Sequence, residues 1–309
     1  MRKRNEPNPN PPNEPGSDGA PSDFRPYFCI PYWQSPRFAG DPVDVGLERP
    51  LPAGVISWEC PGIHASPYSP GGDLTITVDV RNSGHGSALS IATVVVYWAD
   101  PTVGFAKPAF FGVGTVAAPT MRDPQVTGFV SVTLQGTIPA TAPDHICLLA
   151  YVTHALDPAT AIADPINDRH WAQRNLFAVT TSISPIMIPF TVANPFDKEG
   201  LFELHVRSLD RKALELYAMH KKLEPGAMQL RMHLRDGLGR VVTDREGDAQ
   251  IRLPLGPMAG QKYSLVLEFD HGMAPHQLTA LEAVLYQSGK KLRPVGSLGI
   301  VMTGDDSPL

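Results

Sequence analysis

The stretch Pro143-Asp-His-Ile-Cys-Leu-Leu-Ala-Tyr-Val-Thr153 decides the fold class of this chain. It is apolar over most of its length, and turn-forming residues open it. Such a run is typical of a central strand of a β-sandwich, which packs against strands of its own sheet and against the opposite sheet. Two further runs, 74–80 and 93–98, have the composition of strands that pack with it.

The composition favours an all-β protein with many turns. The chain has 309 residues, of which 42% are hydrophobic, 18% are charged and 32 are proline, about double the usual share of proline. Proline cannot donate to a sheet ladder and sits poorly inside helices, so we expect many turns and loops. The formal net charge of −5 provides no basic field that would attract nucleic acid.

The N-terminal residues predict a disordered tail. Residues 1–22 are mainly Pro, Asn, Gly, Glu and Ser, with almost no apolar side chain to bury. No apolar core of a Sec signal peptide follows Met1, and no stretch of about 18 apolar residues predicts a membrane span. We therefore expect a cytoplasmic protein, or one exported by a route without a Sec signal, and no membrane insertion.

An aromatic, proline-rich segment follows the tail. Its candidate partner-binding residues are Phe24, Tyr27, Phe28, Tyr32 and Trp33. So many aromatic side chains in water would form a large exposed apolar patch. Two interpretations stay open: the segment lies across the first domain and closes its side, or it forms a platform for a partner protein or a sugar.

Apolar runs separated by turn residues predict two tandem immunoglobulin-like β-sandwich domains after the tail, at residues 23–183 and 184–309. Strands of the first domain are expected at 54–60, 74–80, 91–98, 126–134, 143–153 and 175–180. Strands of the second domain are expected at 201–206, 228–234, 250–255, 263–269, 280–286 and 295–302, with a hairpin turn at 287–291.

One segment of the second domain predicts a short amphipathic helix. The apolar spacing of three to four residues runs through Leu209, Ala213, Leu216, His220 and Leu223. The Glu-Pro-Gly sequence at 224–226 ends the run. This helix is the one departure from an all-β pattern.

Three segments are assigned to irregular structure. Phe105, Phe110 and Phe111 are placed in a connection between strands. The Gly-Val-Gly sequence at 112–114 lacks the third glycine of a dinucleotide-binding loop and is interpreted as a bend. Residues 182–189 are interpreted as a short linker between the domains.

Four stretches resemble a known family. Val78-Asp-Val-Arg-Asn-Ser-Gly84 is similar to the V-x-V-x-N-x-G strand-to-turn motif of bacterial CARDB-like (cell-adhesion-related) immunoglobulin-like domains. Residues 96–100, 145–149 and 167–176 resemble the later strands of that group. The resemblance covers about residues 58–180. It implies a binding or spacer module and supplies no catalytic residues.

The sequence shows no recognisable setting for catalysis. Nucleophilic catalysis needs Ser or Cys with His and an orienting acid, but there is no Gly-x-Ser-x-Gly elbow and no catalytic Cys signature. Cys60 and His64 are the closest Cys–His pair in sequence, without a zinc-binding spacing around them. We therefore expect no enzyme, no cofactor, and partners that are other proteins.

The acidic loop that follows residue 154 is the best site candidate that remains. Asp157, Asp164, Asn167 and Asp168 lie within twelve positions, and such oxygen donors at the end of a sandwich bind calcium in some proteins. The alternative is that these side chains cap turns by bonding to nearby backbone.

Four residues are expected to be structural, namely Trp58, Trp98, Cys147 and Trp171. A disulfide between Cys29 and Cys60 stays open. The function predicted from the sequence is protein–protein assembly through tandem immunoglobulin-like domains, with a carbohydrate- or calcium-binding module as the alternative.

Overall fold

A computed structural model describes residues 25–34, 42–85, 89–123, 125–176, 178–181, 184–246 and 248–304. The predicted tail and Phe24 lie outside these ranges. The elements are β1 (Phe28–Cys29), β2 (Ile63–Ala65), β3 (Asp73–Asn82), β4 (Ser90–Ala99), β5 (Thr102–Val103), β6 (Ala109–Ala118), β7 (Val130–Thr137), β8 (Ile146–Thr153), β9 (Trp171–Leu176), β10 (Ala178–Thr180), β11 (Ile186–Ala193), β12 (Gly200–Ser208), α1 (Arg211–Lys221), β13 (Glu224–Pro225), β14 (Arg231–Asp236), β15 (Val241–Glu246), β16 (Ala249–Leu255), β17 (Gly260–Glu268), β18 (Gln277–Gln287) and β19 (Arg293–Thr303).

The first sandwich has the strand arrangement of an immunoglobulin-like domain. One sheet contains β2, β3 and β7, and β1 pairs with the end of β3. The facing sheet has the order β6-β4-β8-β9. The apolar run that decides the fold class becomes β8, which pairs with β4 on one side and β9 on the other. The predicted all-β fold class is confirmed.

Alternation of side chains builds the core of this sandwich. Ile76 and Val78 point inward from β3, Val94 from β4, and Leu148 and Val152 from β8, and all five side chains are fully buried. Because side chains of a strand alternate between the two faces, every second residue reaches the opposite sheet. In β3 the period-two pattern of the sequence predicts the inward residues, whereas β4 and β8 are apolar on both faces, and β8 supplies Cys147 and Leu149 to a second cluster.

The second sandwich consists of two larger sheets. One has the order β15-β14-β17-β11-β5, and the other has the order β10-β19-β18-β12-β16 with β13 paired to β18. Two of these strands, β5 and β10, come from the segment assigned to the first domain. The predicted boundary between residues 183 and 184 stays a prediction.

The predicted helix is confirmed as α1. Asp210 caps it, because its carboxylate accepts hydrogen bonds from the backbone N–H groups of Lys212 and Ala213. The helix ends where Lys222 adopts the left-handed conformation, with φ of 58°. Its buried face includes Tyr217, which packs at the seam between the sandwiches.

Two predicted segments of the first sandwich are wrong. Residues 54–60 form turns rather than a strand, because Trp58 turns into the second sandwich and is fully buried there. Residues 109–118, assigned to a connection and a bend, form the ten-residue strand β6. A Cβ atom at Gly114 would lie 2.6 Å from Cγ2 of Val132, so this glycine allows the two sheets to approach closely.

The predicted linker is also partly wrong. β11 begins at Ile186 and runs through Pro189. β17 pairs with β11 along its whole length, whereas β5 reaches only Thr191 and Val192 on that strand. Pro189 is tolerated because β11 is an edge strand at that point.

A tight seam joins the two sandwiches. The indole of Trp58 lies over Gly299 of β19 and contacts Tyr217 edge-on, with 5.6 Å between ring centroids. Gln173 Nε2 donates to the carbonyl of Ser297 at 2.8 Å. Buried residues of both sandwiches belong to one continuous apolar cluster.

Candidate functional site

The aromatic segment lies inside the first sandwich. Phe28, Tyr32 and Trp33 are buried, with exposures of 0%, 4% and 3%, and Tyr27 is partly buried. Arg169 lies over the ring of Tyr27, with 3.6 Å between Cζ and the ring centroid. These four side chains close the sandwich and do not present a platform to solvent.

Buried carboxylates hold the same segment in place. Asp157 Oδ2 accepts a hydrogen bond of 2.6 Å from the backbone N–H of Phe28. Asp44 accepts one of 2.9 Å from the N–H of Tyr32 and forms a salt bridge of 2.9 Å with Arg49. The segment is therefore anchored by its backbone as well as by its apolar side chains.

The acidic loop residues bond to donors of the protein itself. Asp164 pairs with Arg293 at 2.7 Å and accepts hydrogen bonds from the side chain and the backbone N–H of Asn167. Asp168 accepts from the backbone N–H groups of Thr160 and His170. Within the described ranges, no group of three or more His, Cys, Asp or Glu side chains is arranged to hold a metal ion. The bonds from the N–H groups of Asn167, Thr160 and His170 are of the kind that the capping interpretation predicts, whereas the pair with Arg293 is not. Capping and calcium binding both stay hypotheses to be tested.

His170 lies between two carboxylates. Its Nδ1 is 2.7 Å from Oδ1 of Asp168, and its Nε2 is 3.2 Å from Oδ1 of Asp157. Burial lowers the pKa of His170, but Asp157 and Asp168 raise it more, so the net pKa is above the ordinary value. Burial raises the pKa of Asp168, but bonds from His170 and Thr160 hold it well below its usual range. Because both ring nitrogens face carboxylates, this histidine is placed to stabilise the loop rather than to activate a nucleophile.

The remaining candidate residues are structural in their placement. Cys29, Cys60 and Cys147 are free and fully buried, so the disulfide left open by the sequence is not formed. Burial raises the pKa of the Cys147 thiol to about 12. Trp171 is 5% exposed and donates from Nε1 to the carbonyl of Thr160 at 3.0 Å, whereas Trp98 is partly buried against the first core.

An exposed sheet surface on the first sandwich is the strongest candidate site. We call it the β6 face, and it consists of the outward side chains of β4, β6 and β8. Phe110, Val113 and Ile91 on it are 60%, 55% and 64% exposed. Its residues are Ile91, Thr93, Val95, Tyr97, Phe110, Val113, Thr115, Ala117, Tyr151 and Thr153, which stand opposite one another in the strand register. Among them Val95 is buried, and Tyr97 and Tyr151 are partly buried against the apolar cluster that both sandwiches share.

The β6 face carries no charged side chain. Exposed apolar patches without charge mark sites of interaction on soluble proteins. Tyr97 is its centre, with ring centroids 6.0 Å from Phe110 and 6.2 Å from Tyr151. The ring centroids of Tyr151 and buried Trp171 are 4.7 Å apart. Tyr97, Phe110 and Tyr151 form an aromatic row, and Trp171 supports it from the side of the acidic loop.

The two edges of this sheet differ in protection. At the β9 edge, the backbone N–H of Cys60 donates to the carbonyl oxygen of Gln173, and the N–H of Asn175 donates to the carbonyl oxygen of Trp58. Both N–O distances are 2.9 Å. At the other edge, β6 pairs only with β4 among the described strands. Residues 109–118 include no proline and no charged residue, the two devices that commonly protect an edge. Within the part of the chain that the structure describes, β6 is therefore an open edge ten residues long.

The side chains of β6 alternate as in a strand, but the two glycines of β6 obscure that alternation in the sequence. Phe110, Val113 and Thr115 alternate with inward residues once a register shift between Val96 and Tyr97 is taken into account. The Gly-Val-Gly sequence at 112–114 predicts a bend, but it lies within β6, where Gly114 allows the close approach to Val132 of β7.

No family model and no curated protein matches the chain. Among solved structures, the collagen adhesin of S. aureus is 8% identical with a TM-score of 0.24, over 78% of this chain and 91% of that one. The CfaE adhesin of enterotoxigenic E. coli is 8% identical with a TM-score of 0.22, over 81% and 85%. A glucanotransferase of Paenibacillus sp. is 23% identical with a TM-score of 0.23, and the chain spans 12% of its length.

TM-scores of this size carry no argument about activity or partners. The resemblance to CARDB-like domains stays an expectation from sequence motifs. The one helix in the described part of the chain has 11 residues and is too short and too polar to cross a membrane.

Proposed function

We propose that this chain is a non-enzymatic protein-interaction module that binds an extended segment of a partner protein along β6. The observation that carries the proposal is the open, uncharged edge of β6 beside the exposed β6 face. An open edge offers backbone N–H and C=O groups to an added strand. The exposed side chains of β6 give that strand apolar contacts on one side.

The chemistry of the edge defines the partner segment. Strand addition satisfies backbone groups whatever the partner sequence, so specificity comes from the alternate side chains. Those on the side of the β6 face would meet Phe110, Val113 and Thr115 of β6, so we expect apolar or aromatic residues at every second position. A charged residue at these positions would lose its hydration without gaining a partner charge.

Selection of peptides from a random displayed library tests the proposal. We expect the whole chain to select segments with alternating apolar residues, and Val113→Lys to weaken their binding at least tenfold, about 1.4 kcal/mol. Leu238→Lys is the matched control, because Leu238 is 79% exposed on the second sandwich, and it should leave binding unchanged. Hydrogen exchange should show new protection within 109–118 on binding. Selected peptides that bind Val113→Lys as tightly as the unaltered chain would refute the proposal.

Carbohydrate binding is the second candidate, and the aromatic row is the observation that favours it. Aromatic rings give apolar stacking surfaces without charge, and Tyr97, Phe110 and Tyr151 lie side by side on the β6 face. A glycan array separates the two functions. Saccharide binding that Tyr97→Ala abolishes, without peptide selection, would replace the protein partner by a sugar.

A further inference from the structure

A cleft between the two sandwiches lies next to α1, away from the β6 face. Its volume is about 420 Å³. One wall is formed by Trp33, Val55 and Ile56, and the other by Leu216 and Tyr217 of the helix. Both walls are mainly apolar, and the volume lies within the usual range for small-molecule sites, about 300–1,000 Å³.

Charged groups line one part of the cleft. Lys221 Nζ lies 2.9 Å from Oε1 of Glu59, which makes a close ion pair. Arg174 Nη2 lies 3.7 Å from the same oxygen, beyond hydrogen-bond distance. A single carboxylate, Glu59, therefore stands between two cations.

The guanidinium of Arg174 is only partly used. Its Nη1 donates to the carbonyl of Ile63 at 2.5 Å, while its buried Nε has no hydrogen-bond partner. The side chain of Arg174 is 20% exposed and lines the cleft. Arginine binds carboxylates through paired N–H donors, so an incompletely bonded guanidinium beside an apolar cavity favours an anionic group of that shape.

We propose that this cleft binds a small molecule that carries one carboxylate on an aromatic or branched apolar body. The carboxylate contacts Arg174 and Lys221. It neutralises the one positive charge that remains after Glu59 has neutralised the other. The apolar body packs between Ile56 and the helix residues Leu216 and Tyr217. This site is independent of the proposed binding along β6.

The position of the cleft gives the ligand a second effect. Arg174 belongs to β9 of the first sandwich, and Lys221 ends the helix of the second. A ligand that contacts both side chains bridges the two sandwiches. It should therefore raise the melting temperature of the whole chain, because it binds the folded state only.

Calorimetric titration of the whole chain with indole-3-acetate, and with its neutral amide as the matched ligand, tests the proposal. We expect saturable binding of the acid, at least tenfold tighter than that of the amide. Arg174→Gln and Lys221→Gln should each weaken acid binding at least tenfold. Lys221→Gln is needed as well, because Arg174→Gln also removes the bond to Ile63 and endangers folding.

Lys212→Gln is the control variant, because it removes the same charge from an exposed position at the other end of α1. It should bind the acid as the unaltered chain does. Equal affinity for the acid and the amide would overturn the proposal, as would equal affinity of Lys221→Gln and Lys212→Gln for the acid. Absence of saturable binding of both indole-3-acetate and 4-phenylbutyrate up to about 10 mM would overturn it too.

Discussion

The seam between the sandwiches depends on the contact of Trp58 with Gly299, and a methyl group at residue 299 should break it. Trp58 is fully buried, and a Cβ atom at Gly299 would lie 2.1 Å from Cδ2 of its ring, far closer than van der Waals contact allows. The ring cannot easily move, because Tyr217 packs edge-on against it. The backbone carbonyl of Trp58 is also fixed by the N–H of Asn175 at 2.9 Å.

The magnitudes follow from packing. Gly299→Ala overpacks a buried contact and should lower the free energy of unfolding by about 1–3 kcal/mol. Trp58→Ala removes a large buried aromatic side chain and should cost about 3–5 kcal/mol. In the double variant the added methyl group occupies space that the indole has vacated. The double loss should therefore be smaller than the sum of the single losses by about 0.5–3 kcal/mol.

Urea unfolding followed by far-UV circular dichroism measures all three free energies. Gly256→Ala is the control, because a Cβ atom there meets only Ala259 at an ordinary 3.8 Å. It should change the free energy of unfolding by less than about 0.5 kcal/mol. If the effects of Gly299→Ala and Trp58→Ala add within about 0.5 kcal/mol, the two residues are not coupled, and our account of the seam is wrong.

Four further predictions concern the acidic loop and the tail. Trp171→Ala removes a buried ring and its hydrogen bond to the loop, and should lower the free energy of unfolding in urea by about 3–5 kcal/mol. A variant that melts like the unaltered chain would show that the loop does not depend on Trp171. The pKa of His170 is raised above its unfolded value of 6.5, so protonation of His170 stabilises the fold fully below about pH 6.5, and this contribution is lost as pH rises through the folded pKa. His170→Gln should remove that pH dependence from the melting temperature, and an unchanged profile would contradict the assignment. Deletion of residues 1–22 should leave the melting temperature nearly unchanged, because the tail has little apolar area to repay its ordering entropy of about 1–2 kcal/mol per residue. Chelation of calcium should also leave the melting temperature unchanged, and a drop in the melting temperature would reveal a metal site in the loop.

The sequence by itself determined the fold class and most strands. Period-two alternation at 74–80 and the apolar runs at 91–98 and 143–153 became β3, β4 and β8, because both patterns are local properties of strands. The three-to-four spacing from Leu209 likewise located α1. These features need only nearby residues to be recognised.

Tertiary structure alone decided which surfaces are buried and which are open. Phe28 and Trp33 have the composition of a binding platform, yet the fold buries them, whereas Phe110 was placed in a connection and lies exposed on an edge strand. The sequence around Gly114 fits both a bend and a strand, and only the distance between Gly114 and Val132 in the fold distinguishes the two. The cleft beside Arg174 joins residues far apart in sequence, and no local pattern encodes their distance. Local periodicity therefore specified the strands, and contacts between distant residues specified the sites.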